Sequence, residues 1–225
     1  MVTSMPARKR SNPLALAVLT CLYERPMHPY EMAQTLRTRA KHESVRLNYG
    51  SLYGVVESLE RQGLVRAVET FREGRRPPRT VYEITDPGRT EMYDWLSELL
   101  SVPIKEFPQY EAALSFLPGV PPDEAVALLR QRCEAIEVRL DQMQASYDVA
   151  TKRGLPRLFS IEGEYEMALL RTELDFTRSL IADIESASLS GLDEWRSWHE
   201  QESVAPGHDA PPPPPTSPDN DDIKE

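Results

Sequence analysis

The sequence predicts a mainly α-helical chain of two domains, the first closed by a two-stranded hairpin and the second built from long helices. Three observations carry this. Apolar residues recur at helical spacing through most of residues 13–187. Two short β-prone runs flank an arginine-rich turn at 72–79. The cluster Pro118-Gly119-Val120-Pro121-Pro122 sets off a long heptad-spaced helix.

The first helix is expected over about Pro13–Glu24. Asn12 suits its N-cap, and Pro13 suits the first helical position, where a missing N–H costs nothing. Leu16, Val18, Leu19 and Leu22 give it a wide apolar face, and Arg25-Pro26 ends it. A second helix follows over about Pro29–Lys41, with Tyr30, Ala33, Leu36 and Ala40 at helical spacing. The third spans about Tyr49–Gln62, between an Asn48 cap and a terminating Gly63. Its Leu52, Val55, Val56 and Leu59 point inward, opposite Tyr49, Ser51, Tyr53, Glu57 and Arg61. Strands at Leu64–Thr70 and Thr80–Thr85 form the hairpin. Asp86-Pro87-Gly88-Arg89 opens a fourth helix to about Leu100, with Met92, Trp95, Leu96 and Leu99 inward.

The second domain begins with a short helix over about Pro108–Leu117. In the long helix over 122–152, Val126, Leu129, Cys133, Ile136, Leu140, Met143 and Tyr147 make a heptad seam, ended by Gly154 and Pro156. A last helix, about Phe159–Ala187, puts Ile161, Tyr165, Leu169, Thr172, Phe176, Leu180 and Ile184 on one stripe. After Trp195 and Trp198 the chain turns polar, and seven prolines fall between Pro206 and Pro218. The expected organisation is a disordered basic arm (1–11), a DNA-binding-type domain (12–102), a helical dimerisation and effector domain (103–199) and a disordered, proline-rich acidic tail (200–225).

The formal net charge of −10 hides an asymmetry. Residues 1–90 hold 15 Lys and Arg against 9 Asp and Glu, and the remainder 11 against 27. A basic part of that kind suits nucleic acid, and screening over roughly 10 Å keeps a distant acidic domain from cancelling it. Cys21 and Cys133 sit in apolar helical patterns and read as reduced core residues, which fits a cytoplasmic protein. No apolar run approaches the roughly 20 residues of a membrane span, and the first ten residues lack a signal-peptide pattern.

Helix, helix, helix, strand, basic turn, strand is the plan of a winged helix-turn-helix. A major groove about 12 Å wide admits one helix that is apolar behind and hydrogen-bonding in front. The third helix has this form. Gly50, Ser51 and Gly54 keep its first half slim; Tyr49, Ser51 and Tyr53 bring hydroxyls, and Asn48 opens a helix N-terminus suited to phosphate. Tyr30 and Arg46 flank it. Arg72, Arg75, Arg76 and Arg79 in the turn suit phosphates or a narrow minor groove. Arg37, Arg39 and Lys41 extend the basic surface.

Asn48-Tyr49-Gly50-Ser51-Leu52-Tyr53 with Leu59-Glu60-Arg61-Gln62-Gly63-Leu64-Val65 resembles the recognition helix of PadR-type regulators. Tyr82-Glu83-Ile84-Thr85-Asp86-Pro87-Gly88-Arg89 resembles that family's second wing strand and fourth-helix entry, and Met27-His28-Pro29-Tyr30-Glu31-Met32 its second-helix start. Residues 105–187 are similar in layout to a longer, virulence-activator-like C-terminal domain of one subgroup. Tyr49 and Gly54 stand where proline is common in the family, so base preference is expected to differ. The resemblance implies a homodimer, usually a repressor, whose DNA binding a ligand or stress signal loosens.

Two linked copies gain effective concentration and read a pseudo-palindrome in duplex DNA. The residues expected at the dimer seam are Val126, Leu129, Cys133, Ile136, Leu140, Met143, Leu169 and Phe176. A small-molecule effector has aromatic candidates in Trp95, Phe107, Tyr110, Phe116, Tyr165, Trp195 and Trp198, all of which also suit core packing. His28, His42, His199 and His208 show no metal-ligand spacing, no glycine-rich phosphate loop appears, and Glu162, Glu164 and Glu166 read as a solvated helix face. An enzyme, a cofactor and a metal are therefore not expected. The alternative reading is a winged-helix protein-interaction module that does not bind DNA.

Overall fold

The structure, a computed structural model, describes residues 12–71 and 79–204, and at 69–71, 79 and 201–204 the backbone alone. The arm at 1–11, Arg72, Arg75, Arg76 and residues 205–225 of the expected tail lie outside the described residues. The element order is α1 (Pro13–Glu24), α2 (Pro29–Thr38), α3 (Tyr49–Arg61), β1 (Val65–Phe71), β2 (Arg79–Ile84), α4 (Asp86–Ser101), α5 (Gln109–Ser115), α6 (Pro122–Lys152), α7 (Ile161–Glu185) and α8 (Leu192–Val204). Two compact units divide after Glu106. Among the described residues no helix is long and apolar enough to cross a membrane.

In the first unit the helices start where their caps are. Asn12 Oδ1 accepts from the Leu14 N–H at 3.1 Å, and His28 Nδ1 accepts from the Tyr30 N–H at 3.1 Å. Leu14, Val18, Leu19 and Leu22 of α1 pack with Met32, Ala33 and Leu36 of α2 and Leu52, Val56 and Leu59 of α3. Burying each leucine, valine or methionine side chain among these favours folding by about 1.5–3 kcal/mol. α2 stops at Thr38, short of the expected Lys41. Ala40 adopts a left-handed φ of 55°, its N–H donates to the Arg37 carbonyl at 2.9 Å, and the Lys41 N–H donates to Leu36 at 2.8 Å. This is a Schellman closure built on alanine, so the glycine that usually signals such an end is missing. Gly63 closes α3 in the same way with φ 72°, as expected.

The wing is an antiparallel pair from Val65↔Ile84 to Phe71↔Arg79, with a register shift between Ala67 and Glu69. Its outer edge is held from behind, because Met27 and Tyr82 exchange both backbone hydrogen bonds at 3.0 Å. The base of the wing is fixed at Thr85. Its single Oγ1–H is shared between the carbonyls of Gly63 (2.7 Å) and Leu64 (3.0 Å), and Oγ1 accepts from the Gly88 N–H (3.2 Å), capping α4. Met92 and Trp95 of α4 are buried as expected, whereas Leu96 and Leu99 stay exposed. α4 buries only one narrow side, so the wider stripe read from the sequence overshoots.

In the second unit α6 and α7 form an antiparallel hairpin. Arg130–Glu185, Arg178–Glu137 and Arg139–Glu166 ion pairs mark the register down its length. Val126, Leu129, Cys133 and Ile136 meet Leu174, Ile181 and Ile184. The buried line of α7 is therefore Met167, Leu174, Thr177, Ile181 and Ile184. Of the stripe read from the sequence, Ile184 joins this line, whereas Ile161, Tyr165, Leu169 and Phe176 are exposed. α7 is apolar on two sides, and the buried side includes a threonine, which hid it. Thr177 is fully buried yet satisfied: its hydroxyl donates to the Glu173 carbonyl at 2.7 Å and meets the Tyr110 hydroxyl at 2.8 Å. That bond ties α5 to the hairpin, with Arg132 lying 3.7 Å over the Tyr110 ring. α8 is not foreseen by the sequence reading, which starts the tail at 200; the helix runs on to Val204. Leu192 and Trp195 bury it, and the Trp195 Nε1–H donates to the Val120 carbonyl at 2.8 Å. Cys21 and Cys133 are free and buried, one in each unit; burial pushes the Cys21 thiol up to about 11 and the Cys133 thiol upward too.

Two consequences are measurable. At Gly88 a Cβ would lie 2.0 Å from the Leu64 carbonyl oxygen and 2.9 Å from Ile84 Cγ1. Gly88→Ala is expected to cost the first unit about 2–3 kcal/mol, read as a lower urea midpoint. Second, the hydrogen bond from Arg39 holds the Glu24 carboxyl below the usual carboxylate range, outweighing its partial burial. A depressed folded value stabilises above the unfolded carboxylate range and is lost as pH falls through that lower value. With both side chains largely exposed the effect is under about 1 kcal/mol. The urea-midpoint gap between wild type and Glu24→Gln should therefore be small at pH 7 and close towards pH 2.

Candidate nucleic-acid interface

α3 presents its first half outward because its other side is committed. Leu52, Val56 and Leu59 are 0, 1 and 4 % exposed, whereas Ser51, Tyr53, Gly54, Glu57 and Arg61 are exposed. Asn48 Oδ1 caps the helix by accepting from the Gly50 N–H at 2.9 Å. A Cβ at Gly54 would meet nothing within 4 Å, and one at Gly50 only Asn48 Oδ1 at 3.6 Å. Neither glycine has a positive φ. The fold thus has no need of glycine at either position, although Gly54, inside the helix, costs about 1 kcal/mol relative to alanine. The two lie four residues apart, on one face, and keep that face at backbone height.

Tyr49 is only half-buried, its ring against the core. It is also the centre of a contact the sequence did not reveal. Tyr30 of α2 stacks on it at 6.2 Å between centroids and 15° between planes. Arg37, near the end of α2, donates from Nη1 to the Tyr49 hydroxyl at 2.5 Å, with its guanidinium carbon 4.3 Å from the ring centre. The available signal was the seven-residue spacing of Tyr30 and Arg37, two turns along one face of α2. Tyr53, 42 % exposed, meets the His28 ring edge-on at 6.3 Å.

The cations expected to extend the basic surface divide by partner. Arg39 is bound by both oxygens of Glu24, and Arg25 by Glu31 at 2.5 Å. Those charges serve the α1–α2 corner. Arg37, Arg46 and Arg61 have no carboxylate partner among the described residues, and Arg46 is exposed. Glu57 and Glu60 lie on the later part of α3, so its positive end is the N-terminal one. Arg79 opens β2 opposite Phe71.

The residues expected at a dimer seam part in the same manner. Val126, Leu129, Cys133 and Ile136 are buried in the hairpin of their own chain, and Leu140 and Met143 are partly buried. Leu169 and Phe176 are 53 and 52 % exposed on the outer side of α7. Of the aromatic effector candidates, Trp95 and Trp195 are buried, Tyr110 and Trp198 half-buried, and Phe107, Phe116 and Tyr165 exposed.

Residues 18–94 match the transcriptional regulator PadR-like family. The chain is 22 % identical over 141 residues to the negative transcriptional regulator PadR of Bacillus subtilis (strain 168), covering 61 % of this chain and 75 % of that protein. It is also similar to the crystal structure of Bacillus subtilis PadR (TM-score 0.61, 17 % identity, 80 % of this chain and 99 % of that one). The structure of the same protein in complex with operator DNA aligns at a TM-score of 0.54 and 19 % identity, over 78 % and 97 % of the two chains. A third, of that protein in complex with p-coumaric acid, aligns at 0.61 and 16 % identity, over 80 % and 99 %. These likenesses speak to a shared fold, and the match to the PadR-like family of transcriptional regulators, over residues 18–94, falls within the first unit.

Proposed function

We propose that this protein is a homodimeric repressor that binds duplex DNA in the cytoplasm and is released by a small-molecule or stress signal. The observation that carries the reading is the first half of α3, whose exposed glycines at 50 and 54 have no role in the fold. A helix surface without side chains, flanked by Ser51, Tyr53, Arg37 and Arg46, is shaped to let a backbone approach base edges and phosphates. Arg72, Arg75, Arg76 and Arg79 act from the wing. Bacillus subtilis PadR, crystallised with operator DNA and with p-coumaric acid, supports both the target and relief by a small molecule. Support for dimerisation comes from the outer side of α7, where Tyr165, Leu169 and Phe176 leave large apolar surface exposed. Two copies would place two α3 helices on successive half-sites.

Duplex DNA selected from genomic fragments by the wild-type protein should bind with an affinity that falls about 10³-fold or more between 50 and 200 mM salt. Arg75→Ala with Arg76→Ala should weaken it. No binding of any fragment at low salt would leave the protein-interaction module as the better account. Gly54→Ala should have effects of opposite sign: about 1 kcal/mol more stable to urea, yet weaker on DNA. Leu169→Asp with Phe176→Asp should give a monomer by sedimentation while circular dichroism keeps its helix content.

A further inference from the structure

Arg37 differs from the paired arginines of the first unit. Arg25, Arg39 and Arg66 each face a carboxylate, at Glu31, Glu24 and Glu83. Arg37 faces a phenol. Its Nη1 donates to Tyr49 Oη at 2.5 Å while its guanidinium carbon lies over the same ring, 4.3 Å from the centre, and Tyr30 stacks on that ring from α2. A phenol is neutral, so the guanidinium keeps its full charge. Nε and Nη2 keep their N–H donors. The Tyr49 oxygen is occupied as an acceptor, which leaves its own O–H to donate elsewhere. A charge-assisted bond into that oxygen also polarises the O–H and makes it a stronger donor. Tyr49 is the first residue of α3, where the helix dipole already favours an anion.

We infer that Arg37 and Tyr49 form a preassembled clamp for one DNA backbone phosphate, held by the Tyr30 stack, with Arg37 serving both as a phosphate ligand and as the positioning residue for Tyr49. This rests on the DNA-binding reading above and adds a residue that motif reading assigned only to a diffuse basic surface. An exposed arginine and tyrosine normally lose rotamer freedom on binding. Here the contact is made before DNA arrives, so less ordering remains to be done at the moment of binding. Lysine cannot replace Arg37, because one ammonium cannot both hold the phenol and present a planar pair of donors to phosphate.

The test uses the full chain and a duplex selected by the wild-type protein from genomic fragments, with Kd measured from 50 to 300 mM salt. Arg37→Ala should weaken binding about ten-fold and make the slope of log Kd against log salt shallower by about one per subunit. Tyr49→Phe, which removes only the hydroxyl, should weaken it about three- to five-fold without changing the slope. The double variant should be no weaker than about Arg37→Ala alone, because the two act as one unit. Arg37→Lys should keep most of the slope and recover only part of the affinity. The clamp is overturned if wild type binds but Arg37→Ala leaves the slope unchanged, or if the two substitutions add independently. Failure of the wild type to bind any duplex at low salt overturns the DNA-binding reading and the clamp with it. Circular dichroism of Tyr49→Phe and Arg37→Lys, both near-isosteric, guards against a folding defect.

Discussion

One hydroxyl oxygen holds the first unit in its working shape. Thr85 Oγ1 reaches back to the carbonyls of Gly63 and Leu64, where α3 has just ended, and accepts the Gly88 N–H that begins α4. The Thr85 N–H adds a further bond to Leu64 at 3.0 Å. Three elements with different roles meet there: the helix that faces outward, the strand that leads towards the arginine-rich segment, and the helix that closes the core. Gly88 lets α4 come so close that its backbone touches that of Leu64. The angle between α3 and the wing is set by backbone hydrogen bonds more than by surface side chains. Both elements can then carry variable residues on their outer faces without losing alignment.

Charge is managed on the same principle. The pairs Arg39–Glu24 and Arg25–Glu31 join the α1–α2 corner, using up cations that a composition count would assign to DNA. The cations left near the start of α3 are fewer and better placed. The net positive balance of residues 1–90 is thereby left to the cations that have no carboxylate beside them, Arg37, Arg46 and Arg61 among the described residues.

How far the sequence could be read depends on what each residue had to say locally. α1 and α6 were legible in both bounds, because proline, caps and glycine mark their ends. The end of α2 was not, because an alanine takes the left-handed position usually given to glycine. Only one of the two apolar sides of α7 was read from the sequence, and the buried side, which includes Thr177, was not. α8 was hidden by its polarity: Leu192 and Trp195 alone bury it. At the interface, the roles of Asn48 as cap and of Gly50, Ser51 and Gly54 as a slim outer face were readable from α3 by itself. The Arg37–Tyr49–Tyr30 contact joins two helices, and the seven-residue spacing of Tyr30 and Arg37 on α2 gives only one half of it.

The two thiols have a use that follows from where they lie. Each unit holds one cysteine, sealed in its own core and with its thiol shifted away from ionisation. A reagent reaches either sulfur only when the packing around it opens. The native chain therefore carries a separate built-in clock for each half of the molecule. The rates at which Cys21 and Cys133 are labelled give the opening frequencies of the wing-bearing unit and of the helical unit within a single sample.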